Sequence, residues 1–419
     1  MRTLMVVLAL LGTANICIPA EGQTFIGTGR YQYDDSTDAD PTDNIFRIGN
    51  ASATAGSIGA GTYVGGDFSL IQSANAVQIG TGTTNPVTLQ IIRGWGSLIM
   101  LDGNLNLEVP GQSAFIGRGN GTAFVTQVGG VLTMGAPGKE TFFGAAATSG
   151  GFPQSSQGLG EAYVELRDGT MVFKGTPRVG AYNYWLTPVG SGFPSDPTGM
   201  NIGRMTITGG MLDNSVASGG ENFFIGFTGG DGRVEVLNDS VARFATLYVG
   251  PSDDRTYTLT SQGNTVTGYV ARDSNGVLRI GKDADVAVDT AFGLFESNKN
   301  VELQIEIASL TDFSQIRAGS INIGQRWSTL YVAQEPVLTV SLLEGFIPSL
   351  GDEWAIGLTT GGVTLDGGFR QINAPVLPDP DWSYEVRVEG NNLVLAVVPE
   401  PATLALLGLG FLRFVRRRR

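Results

Sequence analysis

An apolar residue followed by glycine recurs along the chain from residue 48 to residue 281, and this recurrence restricts the fold more than any other feature. It falls at Ile48-Gly49, Val64-Gly65, Ile79-Gly80, Ile116-Gly117, Phe143-Gly144, Val179-Gly180, Ile202-Gly203, Ile225-Gly226, Val249-Gly250 and Ile280-Gly281. From Gly117 to Gly144 is 27 residues, from Gly203 to Gly226 is 23, and from Gly226 to Gly250 is 24. Repeat periods of about 20 to 50 residues mark solenoids, in which each unit buries its apolar stripe only against its neighbours. One unit then corresponds to about one coil.

Within a unit, apolar residues alternate. Gly226-Phe-Thr-Gly-Gly-Asp-Gly leads into Arg233-Val234-Glu235-Val236, then Asn238-Asp239-Ser240, then Val241 to Phe244. Gly117-Arg-Gly-Asn-Gly, Ala123 to Val128, Gly129-Gly130 and Val131 to Met134 repeat the plan, as do Met205 to Leu212. Period-two patterning bounded by Gly and Asn describes short half-buried strands, with glycine supplying positive φ at corners. The expected architecture is all-β, a right-handed β-solenoid (β-helix) over residues 46–281. These units resemble the Gly-rich repeats of autotransporter passenger proteins.

After Lys282 glycine thins and longer alternating strands follow: Val301 to Ile307, Val337 to Leu342, and Tyr384 to Glu389 joined through Gly390-Asn391-Asn392 to Leu393 to Val398. The last pair reads as a hairpin. Residues 282–398 are therefore expected to form a β-rich C-terminal domain, either a solenoid cap or a small β-sandwich, that shields the end of the stack from edge pairing. The segment resembles the β-rich region that commonly precedes PEP-CTERM tails.

The termini read as addresses. Met1-Arg2, the apolar Leu4 to Leu11, and a small-residue site at Ile18-Pro19-Ala20 or Ala20-Glu21-Gly22 describe a secretory signal peptide over residues 1–22, cleaved at Ala20 or Gly22. The single cysteine, Cys17, lies inside it, and Ile16 departs from the small residue that lipidation needs before the cysteine. At the other end, Pro399-Glu400-Pro401 precedes a fourteen-residue apolar stretch from Ala402 to Val415, broken by Arg413, and then Arg416, Arg417, Arg418 and Arg419. The stretch is shorter than the ~20 residues that span a bilayer comfortably. Terminal arginines stay cytoplasmic under the positive-inside rule. This order over residues 399–419 closely resembles the PEP-CTERM sorting signal, which in that family is recognised and cut by a membrane protease called exosortase. The resemblance implies a transmembrane sorting helix held transiently in the inner membrane. It also implies exosortase, the secretion translocon and signal peptidase as partners, and the family's usual context is bacteria that make exopolysaccharide.

Removing residues 1–20 and 399–419 takes away six of 26 basic and one of 39 acidic residues, so the body carries −18. That charge disfavours nucleic acid. Hydrophobics at 42% suffice for a core despite 61 glycines, which argues against global disorder. The chain has no histidine, and the body has no cysteine. Ser-His-Asp and Cys-His catalysis and thiolate metal sites are therefore excluded. Gly117-Arg-Gly-Asn-Gly precedes a strand pattern and not a helix, so it reads as a corner and not a phosphate loop. Paired carboxylates would suffice for a glycosidase, but no pair stands out from surface acids.

Two features stand apart from the coils. Asp34, Asp35, Asp38, Asp40 and Asp43 put five carboxylates in ten residues of an acidic lead-in over 23–45, enough oxygen for Ca²⁺ although without EF-hand spacing. The alternative is a solvated lead-in. Asp283, Asp285 and Asp289 read as a turn. Two insertions, Ala145 to Gly160 and Ala181 through Phe193-Pro194, leave the repeat at one corner, and the second carries Tyr182, Tyr184 and Trp185. These rings either contact glycan or fold back over the flank. The reading is a non-catalytic exported protein of the cell surface or extracellular matrix, structural or adhesive in an exopolysaccharide biofilm. The alternative is a β-helical polysaccharide-degrading enzyme, a lyase or glycosidase.

Overall fold

The computed structural model describes residues 23–26, 47–50, 57–65, 67–69, 77–84, 91–108, 110–145, 160–181, 184–185, 201–227, 229–251, 256–261, 264–270, 274–297, 299–326 and 334–400. The described chain is all-β, its one turn of 3₁₀ helix at Val216–Ser218 excepted. Two long sheets dominate, one of eleven strands and one of sixteen, and each winding of the chain adds to both. Nearly every pairing in these two sheets is parallel, as the β-solenoid expectation requires.

The alternation in sequence becomes vertical files of side chains. In the first sheet Leu98, Val125, Val164, Met205, Val234, Leu278, Leu303 and Leu338 lie directly above one another, and all are buried. Each winding then passes through the second sheet, where a register shift splits the longer strands into two rows, as between Gly135 and Glu140 or between Phe244 and Thr246. The inner file of the second row is Ile48, Ile79, Ile116, Phe143, Val179, Ile225, Val249, Leu294, Ile323 and Leu365. Seven of these ten are the apolar members of the apolar-glycine repeat. One file of the core is thus written in the sequence.

The glycine that follows has two duties. At Gly117 φ is +64°, and at Gly144 it is +68°, the left-handed region that L side chains rarely adopt. The row also runs against the start of the first-sheet strands at van der Waals distance of bare backbone. A Cβ on Gly117 would lie 1.8 Å from the carbonyl oxygen of Glu161, and one on Gly144 would lie 1.9 Å from that of Ile202. Facing glycines complete the seam, since a Cβ on Gly203 would meet the Gly180 nitrogen at 2.1 Å.

This seam revises the repeat count. Val64-Gly65, Ile202-Gly203 and Ile280-Gly281 belong to the first sheet and not to this row, so the 23-residue spacing from Gly203 to Gly226 joins two different sheets. Along the row itself, Gly117 to Gly144 spans 27 residues and Gly180 to Gly226 spans 46. The longer windings carry insertions.

The change in sequence style at Lys282 coincides with no break in the ladders. Asn275–Ile280 pairs with Val301–Ile307, and Asp285–Phe295 with Ile316–Gln325, all parallel. A separate sandwich would need its own pair of sheets, whereas the described strands of 282–398 extend the same two. Pairing turns antiparallel only at the end, where Asn392–Pro399 lies between Glu353–Thr359 and Trp382–Glu389. Trp354, fully buried beneath this closure, donates from Nε1 to the Ser309 carbonyl at 3.1 Å.

The terminal hairpin and the candidate processing site

The run Leu393 to Val397 is apolar at every position because its strand is buried on both faces. Its partner strand is more open, with Glu385, Val388 and Glu389 exposed and Tyr384 and Val386 partly buried. Only Gly390 and Asn391 separate the strands, and Gly390 takes φ +60°, the sign that the first central position of a tight hairpin turn favours. Arg387 reaches across the sheet to Glu353 at 2.5 Å and along its own strand to Glu389 at 2.6 Å. Burial pushes the Tyr384 hydroxyl above its ordinary pKa.

The hairpin delivers the candidate processing residues. Pro399 is the last residue of its strand and sits opposite Trp382, a place a proline tolerates because no further ladder donor is needed. Glu400 is exposed, and its backbone N–H donates to the Asp381 carbonyl at 2.7 Å. Pro401 and Arg416 to Arg419 lie outside the described residues, as do Ala20 and Gly22. The expected transmembrane helix lies there too; among the described residues no helix is long and apolar enough to cross a membrane.

The other sequence-derived candidates separate. Tyr184 and Trp185 form a short strand that pairs antiparallel with Val270 and Tyr269, and Asn264–Val270 pairs in turn with Thr256–Ser261. The aromatic insertion is therefore held by a second insertion that the repeat reading passed over, although Thr256 to Leu259 and Val266 to Val270 alternate like any strand. Tyr182 lies outside the described residues. The insertions do leave from one corner, since Ala145 and Ala181, which precede two of them, pair in register. Asp34, Asp35, Asp38, Asp40 and Asp43 also lie outside the described residues; among those described, no three His, Cys, Asp or Glu residues gather to hold a metal.

The three aspartates read as one turn do three jobs. Asp283 meets Lys282 at 3.1 Å, Asp289 accepts from the Val216 N–H at 2.8 Å, and Asp285 bridges Arg243 and Arg317. Hydrogen bonding from Arg243 holds the Asp285 carboxyl below its ordinary range. A depressed folded-state pKa stabilises the fold above the unfolded value of about 3.9, and that contribution is lost as pH falls through the folded value. Asp285→Asn should therefore melt below the parent at pH 7, and the gap should close toward pH 2; thermal melts at both values check it. A constant gap would assign the loss to packing.

Two aromatic features were not read from the sequence. On the far side of the second row, Phe115 stacks on Phe142 at 5.3 Å, and Arg178 lies over Phe224 and Phe227 at 4.8 and 4.2 Å. Each of Phe115, Phe142, Phe224 and Tyr248 immediately precedes a file residue of the repeat, which is the signal that would have found them. Phe142 and Phe224 are nevertheless buried, so this flank is covered. On the first sheet Phe124 stacks on Tyr163 at 5.2 Å and 14°. Rings stacked on each other along a ladder offer their edges outward, a poor platform for a sugar face. Beside them the carboxylates have partners: Asp231 with Arg204, Glu235 with Arg233 and Arg279, Glu306 with Arg279.

Comparison with known families finds the PEP-CTERM protein-sorting motif at residues 397–419. The motif takes in the last three residues of the final strand, Val397 to Pro399, and implies an exported protein with a C-terminal sorting signal processed by exosortase, a membrane protein. No curated protein matches the chain.

Proposed function

We propose that the chain is a non-catalytic protein of the cell surface or extracellular matrix, exported by a signal peptide over residues 1–22 and held transiently in the inner membrane by a helix within 399–419. A stack of parallel windings then serves as a stiff scaffold among exopolysaccharide. The sorting motif growing directly out of the terminal hairpin carries this reading. Because Pro399 and Glu400 are held by Trp382 and Asp381, the segment a protease can take without unzipping the hairpin starts at about Pro401. Cleavage there would release the whole folded body and discard Arg416 to Arg419.

Protein recovered from producing cells should show by intact mass a C-terminus close to Pro399. Intact tails on every mature chain would overturn the proposal and leave a plain anchor. Purified body should also show no turnover on acidic or neutral polysaccharides, because it has no histidine or thiol to activate a nucleophile. Turnover abolished by one Asp or Glu substitution would replace the proposal with a β-helical lyase or glycosidase. The paired carboxylates of the first-sheet face favour the non-catalytic reading.

Glycan contact, in this reading, rests with the insertion that carries Tyr182, Tyr184 and Trp185, since the rings of the first sheet are engaged with one another. Replacing residues 182–194 by a Gly-Ser linker should abolish retention on the producer's polysaccharide with circular dichroism unchanged. Each lost stacking ring removes on the order of 1 kcal/mol. A large drop in melting temperature would show that these rings serve the fold.

A further inference from the structure

Large apolar side chains scattered singly over a surface need no explanation, but here they are not scattered. Among the described residues six such side chains are exposed: Val216, Leu310, Ile347, Leu350, Val376 and Val388. Four of them sit on turns around the point where the sorting tail leaves the body. Ile347 is 68% exposed and Leu350 47%, in the turn that follows Val337–Leu342. The base of that turn is tied to the last strand, with the Gly351 N–H donating to the Val397 carbonyl at 3.0 Å and the Val397 N–H donating to Asp352 at 2.9 Å. Leu310 occupies the equivalent turn one winding earlier, joined to it by the Leu343 N–H bonded to the Ile307 carbonyl at 2.8 Å. Val376, 97% exposed, lies in the segment leading to Asp381, which holds Glu400.

The tail fixes what these turns face. Ala402, where the apolar stretch begins, is two residues beyond Glu400, a reach of at most ~7 Å for extended chain. With the tail in a bilayer, the turns stand at its surface. Charge does not draw them there, because Glu344, Asp352, Asp379, Asp381 and Glu400 surround the exit, and Lys282 is engaged by Asp283 and Asp312. The attraction available is apolar, into the region between headgroups and acyl chains.

We propose that the turn bearing Ile347 and Leu350, flanked by Leu310 and Val376, is a membrane-contacting foot that seats the precursor on a bilayer with its last winding down and presents Pro399 to Pro401 at fixed height. This rests on the reading that a helix within residues 399–419 enters the membrane. The test uses the full chain carrying Cys17→Ser in phosphatidylcholine vesicles, with single nitroxide labels introduced at Ile347→Cys, Leu350→Cys and, as reference, the exposed Asp168→Cys on an earlier winding. The ratio of collisions with oxygen to collisions with a water-soluble nickel chelate should be at least threefold higher at 347 and 350 than at 168. Ile347→Asp with Leu350→Asp should slow tail removal in cells severalfold while leaving the circular dichroism unchanged. Labels at 347 and 350 as open to nickel as the one at 168, in protein that resists carbonate extraction, would overturn the foot and leave the tail reading standing. Protein stripped by carbonate would overturn both. Spin–spin broadening at 347 without vesicles would assign the surface to a second copy of the chain and overturn the lipid contact.

Discussion

Gly117→Ala should lower the melting temperature of the body by about 5 °C, corresponding to ~3–5 kcal/mol. Two costs add. An alanine at φ +64° occupies the left-handed region, and its Cβ would fall 1.8 Å from the Glu161 carbonyl oxygen, so two backbone passes must part by more than 1 Å. Neighbouring glycines cannot yield, since their contacts are backbone on backbone as well. Because each winding touches only its neighbours, the damage should stay local, and the melt should broaden or split in two. Two controls separate the causes. Gly138 has φ +70° with open space around it, and Gly65 has open space and an ordinary φ. Gly138→Ala should cost about 1 kcal/mol, and Gly65→Ala should be nearly neutral. Equal effects at Gly117 and Gly138 would show that conformation alone matters and that the seam does not.

Replacing Pro399, Glu400 and Pro401 together by alanine should leave most of the protein as membrane-retained precursor, a loss of processing of at least tenfold by immunoblot of fractionated cells. The fold should survive. Pro399 contributes no N–H to the ladder, and the Glu400 contact to Asp381 is made by backbone, which alanine keeps. An unchanged melting temperature alongside blocked release would assign the effect to recognition. Normal release of the triple variant would remove the motif from the sorting reaction.

Much of the arrangement was legible because it is local. The terminal hairpin follows from the alternating Tyr384 to Glu389, the turn residues Gly390-Asn391 and the uninterrupted apolar run after them, which is buried on two faces. The file from Ile48 to Val249 was legible because stacked windings repeat a dipeptide. Other parts were hidden for a definite reason. Val64-Gly65 and Ile202-Gly203 have the dipeptide without belonging to the file, since two residues cannot encode which sheet they will join. The pairing of Tyr184 with Val270 joins residues 86 positions apart, and period-two alternation is the same whether a strand's partner is the next winding or a distant insertion.

The sequence by itself determined the sorting tail, the signal peptide expectation, the exclusion of histidine and thiol chemistry, and the file of apolar residues from Ile48 to Val249, because these depend on residue type and short-range period. Only the tertiary structure decided that the ladders run unbroken past Lys282, that Asp283, Asp285 and Asp289 serve three different partners, and that four exposed apolar side chains ring the exit of the tail. Each of those is a relation between chain segments brought together by parallel stacking. Stacking places residues by winding and height, and neither coordinate is written in the spacing along the chain once insertions vary the length of each turn.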